Sequence, residues 1–326
     1  MAVTGSGTEQ DPYIVHNYTE LMTLSGQLKR DGLYIQLFED DHPNQVIDCN
    51  DYGSEFKWHT FSGTTGYGGD NPMYLNLNGG TIKNLIIAEG EAMFNAVAEG
   101  RLQISNGFIR NVFLGSATSK FCSGYLTFQD VSISINFSGA TTDTFTGINS
   151  FDNRHLSFDN CAIYAVGSTL NCAPFIGCAM TDTDIELHIA NQNQFKIFPY
   201  CTLTDCRIQG KISGKAPTGA ETGKRAVFGR ETLFSPGYEM DFKWDMYNCV
   251  IDVDISESEG DIAAAFDVVL LDSASTNTTV ICKSHRPTTG NYQYCSNWNY
   301  LTHEEMRNGA ALNTKGFTVV EVVDGD

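Results

Sequence analysis

The sequence predicts an all-β fold: a right-handed parallel β-helix, a solenoid, with short helices in its N- and C-terminal caps. Three observations predict it. The first is a recurring unit of Asn or Asp, an apolar residue, any residue, and a second apolar residue. It stands at Asn84-Leu85-Ile86-Ile87, Asn111-Val112-Phe113-Leu114, Asp130-Val131-Ser132-Ile133 and Asn160-Cys161-Ala162-Ile163. It returns at Asp184-Ile185-Glu186-Leu187, Asp205-Cys206-Arg207-Ile208 and Asn248-Cys249-Val250-Ile251. The spacings are 27, 19, 30, 24, 21 and 43 residues, which suggests a period in the low twenties with the last gap holding two units. Each unit reads as a short period-two strand behind a turn residue, and Asn and Asp tolerate the left-handed backbone such turns need. Strands this short bury an apolar face only by stacking on the next copy. The second observation is composition. Asn (24) outnumbers Lys (11), Gly reaches 31, and only 18% of residues are charged, which disfavours long exposed helices. The third is that Cys161, Cys206 and Cys249 share one position of the unit, as an inward ladder of small side chains would.

Taken in order, the elements fit three segments: an N-terminal cap and docking segment over 1–75, rungs over 76–285, and a closing segment over 286–326. In the cap, Asn17-Tyr18-Thr19-Glu20 predicts a helix start, followed by Leu21, Leu24 and Leu28 on one stripe. Leu33-Tyr34-Ile35-Gln36-Leu37-Phe38 reads as a strand. Between the Asn/Asp units lie second apolar segments: Ala92-Met93-Phe94, Ala173-Pro174-Phe175-Ile176-Gly177, Ile197-Phe198-Pro199-Tyr200 and Ala263-Ala264-Ala265-Phe266. They give each turn two or three strands. Ala226-Val227-Phe228-Gly229 falls where a degenerate rung would fill the long gap, and Asn277-Thr278-Thr279-Val280 is a weak final copy. The loops 62–69 and 214–220 read as insertions between rungs. Near the end, Thr302-His303-Glu304-Glu305 opens a short helix through about Leu312, and Gly316–Val323 reads as a closing strand. Leucine-rich repeats need Leu at fixed spacing, and a propeller needs a longer period, so both fit less well.

Net charge is −19, which disfavours nucleic acid or an anionic membrane as partner. No apolar run approaches the length of a membrane span. The opening residues lack the basic start and apolar core of a secretory signal, so synthesis in a reducing cytosol is expected. The ten cysteines form no CxxC pair. Cys282-Lys283-Ser284-His285 with Cys295 comes nearest to a metal spacing but lacks the two tight ligand pairs of a structural zinc site. The acidic clusters at 39–41 and 252–261 show no EF-hand spacing. No metal or other cofactor is expected.

The opening Gly5-Ser6-Gly7-Thr8-Glu9-Gln10-Asp11-Pro12-Tyr13-Ile14-Val15 resembles a "GTG-T-x-x-DP-Y-x-I" segment that precedes a helix and a β-helix in many phage virion proteins and bacterial surface proteins. The ending, Leu301-Thr302-His303-Glu304-Glu305-Met306 through Ala311–Phe317, is similar to the closing segment of GLUG-type β-helix adhesins. The chain lacks their regular Gly-Leu-Val-Gly unit. The resemblance implies a phage virion surface protein with a pectin-lyase-like or GLUG-adhesin-like solenoid. Such a protein would be made in the host cytoplasm and displayed on the particle exterior, as head decoration, head fibre or tail-associated protein. Its partners would be other virion proteins and host-surface glycans, and a homotrimer is favoured. A polysaccharide depolymerase and a bacterial surface adhesin are the alternatives.

For catalysis, glycoside hydrolysis needs two carboxylates across a groove. Asp40-Asp41 is a pair, but Gly-His-Gly and Asn-Thr-Asp segments are missing. Asp182 and Asp184 could share a sheet face, with Asp205 one rung above Asp184, although turn formation explains the stacked Asp and Asn residues better. Lys211, Arg225 and Arg230 could serve a lyase as cations and are surface charges by default. The segment 214–225 lacks P-loop spacing, and GxSxG is absent. No catalytic residues are assigned. The binding candidates are Tyr292, Tyr294, Trp298 and Tyr300, expected on one face of an extended strand, with Tyr67 in a loop. Aromatic rings beside amides suit sugars. The same rings would also suit a plug for the solenoid end or a subunit contact.

Overall fold

The computed structural model describes residues 3–27, 32–40, 45–63, 73–96, 101–114, 116, 118–137, 145–146, 156–172, 175–196, 201–215, 225–228, 245–255, 258–259, 263–266, 268–269, 278–284, 291–294, 299–302 and 317–323. The chain is mostly β, with extensive parallel pairing. It divides into two compact units, one of Met1–Ala140 with Thr144–Tyr164 and one of Thr141–Asp143 with Ala165–Asp326.

In the first unit the chain visits three parallel ladders in rotation. The first ladder holds Tyr13–Val15, Leu33–Leu37, Met73–Asn76, the starts of Leu102–Leu114 and Leu126–Asn136, and Leu156–Asp159. The second holds Val46–Asp48, Thr81–Ile87 and the later parts of Leu102–Leu114 and Leu126–Asn136. The third holds Phe61–Ser62, Ala92–Ala96, Lys120–Gly124 and Phe145–Thr146. One circuit of the three is a rung. Register partners Leu33, Met73, Leu102, Leu126 and Leu156 put successive rungs 40, 29, 24 and 30 residues apart. Three of these four spacings exceed a period in the low twenties, because three strands and their loops need more chain than the recurring unit shows, whereas in the second unit Ala179 and its partner Thr202 stand 23 residues apart. Parallel pairing also begins at Tyr13, well before residue 76.

Alternation places Leu33, Ile35, Leu37, Met73, Leu75, Leu102, Ile104, Leu126, Phe128, Leu156 and Phe158 inside. A run of phenylalanines links the rungs: Phe61–Phe94 at 6.3 Å, Phe94–Phe121 at 6.1 Å and Phe121–Phe128 at 5.7 Å, with Phe128 stacked on Phe158 at 5.1 Å. Trp58 is fully buried, and its indole N–H donates to the Met93 carbonyl at 3.1 Å.

The Asn/Asp residues do turn the chain. Asn84, Asn106, Asn111, Asp130, Asn160, Asp182, Asp205 and Asn248 all have φ between 46° and 59°. They form two columns, which the sequence pattern had merged into one. Asn106, Asp130 and Asn160 form the corner between the first and second ladders, and Asp182, Asp205 and Asn248 form the corresponding corner of the second unit. Asn84 and Asn111 pair with each other five residues downstream of that corner, inside the second ladder, where each interrupts the in-out alternation. Asp130 is thus the register partner of Asn106, not Asn111. In the second unit the turn residue is Asp182, not Asp184, which pairs with Arg207. The misreading arose because Thr183 fills the inward slot after Asp182, so the apolar pattern starts only at Asp184.

The second unit repeats the arrangement. Cys178–Thr181, Thr202–Thr204 and Asp245–Tyr247 pair in parallel. So do Asp184–Lys196, Arg207–Lys215, Val250–Ile255, Thr278–Ser284 and Phe317–Val323, the last being the expected closing strand. Because Thr202 pairs directly with Asp245, the 43-residue gap is one rung with a long insertion. Arg225–Phe228 is not a degenerate rung of its own; it pairs with Phe195–Lys196 and Ala263–Phe266. The final copy keeps its register, with Thr279 on Val250 and Val280 on Ile251.

The N-terminal helix is Tyr18–Thr23, and the Asn17 side chain accepts the Glu20 backbone N–H at 2.9 Å. Leu28, Ile197–Tyr200, most of the two insertion loops and the expected C-terminal helix lie outside the described residues.

Candidate functional site

Tyr67 and Trp298 lie outside the described residues. Tyr292 and Tyr294 belong to the strand Asn291–Tyr294, and Tyr300 to Asn299–Thr302. These strands are antiparallel, with Tyr292 on Leu301, Gln293 on Tyr300 and Tyr294 on Asn299. The segment therefore folds back on itself and is not one extended strand. Tyr300 shares a register position with Gln293, not with either tyrosine.

A different surface is assembled on the first ladder. Its outward positions alternate with the buried core and form two columns. One runs Tyr34, Tyr74, Gln103, Thr127 and Ser157; the other runs Gln36, Asn76, Ser105, Gln129 and Asp159. All are half-buried except Asp159, which is exposed and is the only acidic or basic residue in the two columns. Tyr34 and Tyr74 stack with centroids 4.4 Å apart and planes 11° from parallel, and burial with the neighbouring Tyr74 hydroxyl pushes the Tyr34 hydroxyl up. Above them Gln103 Nε2 donates to Gln129 Oε1 at 3.2 Å, and Ser157 Oγ donates to Thr127 Oγ1 at 3.0 Å. Gln36 Nε2 donates to the Phe38 carbonyl and to Asp40. Hydroxyls and amides thus recur at the strand spacing of about 4.8 Å along a flat strip. Such a strip can exchange hydrogen bonds with a polyhydroxylated ligand.

The second ladder's outward face differs. Lys83 is bound to Asp48 at 3.1 Å, and the Arg110 guanidinium lies 4.5 Å over the Phe108 ring.

Of the carboxylates weighed for catalysis, Asp182 and Asp205 form turns, Asp184 lies in a strand opposite Arg207, Asp40 accepts from Gln36, and Asp41 lies outside the described residues. Asp205 sits in register over Asp182, not over Asp184, and receives the Asn248 amide at 2.5 Å. The first unit repeats this, with the Asn160 amide on Asp130 at 2.5 Å, and Asn111 on Asn84 and Asn84 on Asp48 at 3.0 and 2.8 Å. Lys211 stands between His188 and Asp254 in register. Arg225 pairs with Phe195 and Ala263, and Arg230 is outside the described residues. His16, His59 and His188 each contact a glutamate. Burial opposes ionisation of Glu91, yet hydrogen bonds from His59 and Thr60 hold its carboxyl below the usual range. Among the described residues no three His, Cys, Asp or Glu side chains converge as a metal site would, and no helix is long and apolar enough to cross a membrane. His285 and Cys295 are outside them.

Sequence reasoning missed the Tyr34–Tyr74 strip, although a signal exists. Leu33-Tyr34-Ile35-Gln36-Leu37 and Met73-Tyr74-Leu75-Asn76-Leu77 share one pattern of apolar residue, tyrosine, apolar residue, amide and apolar residue. Comparison with protein-family models, with curated proteins and with solved structures gives no match.

Proposed function

We propose that the chain is a right-handed parallel β-helix displayed on the exterior of a bacteriophage particle, where it adheres to host-surface glycans. The observation that carries adhesion is the strip of hydroxyls and amides around Tyr34, Tyr74, Gln103 and Gln129. The β-helix reading is supported by three ladders visited in rotation, since parallel connections within a sheet are almost always right-handed. The phage setting rests on the resemblance of the opening and closing segments. Many identical copies, each a trimer bound to virion proteins, would make weak single-site binding effective.

Immunogold electron microscopy of purified particles tests the setting. Label on the head marks decoration or a head fibre; label at the tail tip marks receptor binding and calls for a depolymerase assay. Unlabelled particles would overturn the virion reading in favour of a cellular adhesin or free enzyme. A glycan array probed with the full chain and with the double variant Tyr34→Ala/Tyr74→Ala tests adhesion. Equal retention of the two by every glycan would remove the strip as the binding surface.

A further inference from the structure

The corner of the second unit brings two cysteines face to face. Cys206 follows Asp205 and Cys249 follows Asn248, and the flanking pairs are joined directly: Asp205 N–H donates to the Tyr247 carbonyl at 2.8 Å and Val250 N–H to the Cys206 carbonyl at 2.9 Å. With Thr204 on Tyr247 and Arg207 on Val250, the two cysteines are register neighbours on adjacent parallel strands. The spacing of such strands, about 4.8 Å, lies within the Cα separation a disulfide accepts. Both side chains point inward, 2% and 1% exposed, and their sulfurs interact directly. Each also donates to the carbonyl two residues back, Cys206 to Thr204 and Cys249 to Tyr247, both at 3.2 Å. Cys161 occupies the same corner position in the first unit, but its register neighbour is Val131.

We propose that Cys206 and Cys249 form a reversible disulfide between neighbouring rungs when the chain meets a peroxide. One sulfur of the pair, as its thiolate, attacks one oxygen of hydrogen peroxide, the O–O bond breaks, and the leaving hydroxide takes up the proton that thiol gave up, as water. The partner sulfur then attacks that sulfenic acid, the S–O bond breaks, and the departing hydroxide leaves as water with the partner thiol's proton. Two thiols lose two electrons in total, and the peroxide is reduced to two waters. The bond would close the long insertion between the two rungs once the chain leaves a reducing compartment. It does not depend on the display reading.

The test uses the full reduced chain, treated with hydrogen peroxide, alkylated in denaturant and digested without reductant for mass spectrometry. The expected product is one peptide pair joining Cys206 to Cys249, lost on adding dithiothreitol, with Cys161 recovered as an alkylated thiol. Recovery of Cys206 and Cys249 as alkylated thiols, their separate oxidation to sulfinic acids, or equal pairing with other cysteines would overturn the proposal. Cys249→Ser should leave Cys206 unlinked; if that variant fails to fold, the wild-type map still decides.

Discussion

Asn17 and Glu20 divide the work of starting the N-terminal helix. Asn17 accepts the Glu20 N–H, and the Glu20 carboxylate reaches back to the His16 N–H at 2.9 Å and to its ring at 3.2 Å. Asn17→Ala should cost about 1 kcal/mol, read as a lower urea midpoint. This start was legible in the sequence because capping is local. The clamp on His16 was not, because Glu39 comes from a turn 23 residues away and binds the other ring nitrogen at 2.8 Å. That bond to Glu39 raises the His16 pKa against the opposing effect of burial. Burial works against Glu20, yet its bonds from His16 and Asn17 hold it below the usual range. The signs set a window. The His16 contribution is complete below its unfolded value of about 6.5 and is lost as pH rises through its raised folded value. The Glu20 contribution is present above its unfolded value and is lost as pH falls through its lowered folded value. Solvent screening of a histidine side chain 41% exposed keeps its share within about 1 kcal/mol. The melting temperatures of wild type and His16→Ala should therefore differ most in mildly acidic solution and converge as pH rises. A constant difference across that range would remove the clamp.

At the scale of elements, the stacked Asn and Asp columns have a polarity. An Asn amide can donate to the rung before it and accept from the rung after it, whereas an Asp carboxylate only accepts. Asp48, Asn84 and Asn111 follow this rule, each Asn donating to its predecessor. Asn111→Ala loses that bond and keeps a left-handed backbone, so about 1–2 kcal/mol of stability should go. Asn111→Gly loses only the bond and should cost about half as much, a difference that urea unfolding can resolve. The rule fails where Asp205 lies over Asp182, since neither carboxylate donates and their charges are alike. Asp205→Asn keeps the acceptor for Asn248 and adds a donor for Asp182. It should stabilise by about 0.5 kcal/mol, with a weaker response to added salt than wild type. The repeated turn residue was visible in the sequence, but its register was not. Asn106 was overlooked because Gly107 follows it, and an added Cβ at Gly107 would lie 2.4 Å from the Leu77 Cβ. A crowded corner thus carries the residue with the least hydrophobic signal.

Over the whole molecule, charge is distributed in a way that separates two modes of binding. The chain carries −19, and one outward face of the second ladder bears Lys83 and Arg110, yet on the first-ladder strip Asp159 is the one acidic or basic residue. Composition gave the total charge, whereas the strip exists only because residues as distant as Tyr34 and Ser157 fall into register, which no local pattern specifies. A ligand held by this strip is recognised through hydroxyls and amides, whose hydrogen bonds salt screens little. Affinity for an immobilised neutral glycan should then change by less than about twofold between about 0.05 and 0.5 M salt. Tyr74→Ala and Gln103→Ala should each weaken it several-fold, as expected for hydrogen bonds of about 1 kcal/mol. Lys83→Ala and Arg110→Ala should leave it unchanged, because both cations already bind within the chain on the other ladder. Surface plasmon resonance across the salt series separates the cases. A roughly tenfold fall with salt that Lys83→Ala or Arg110→Ala abolishes would move the contact to the second ladder and make the ligand anionic, against the net charge of the chain.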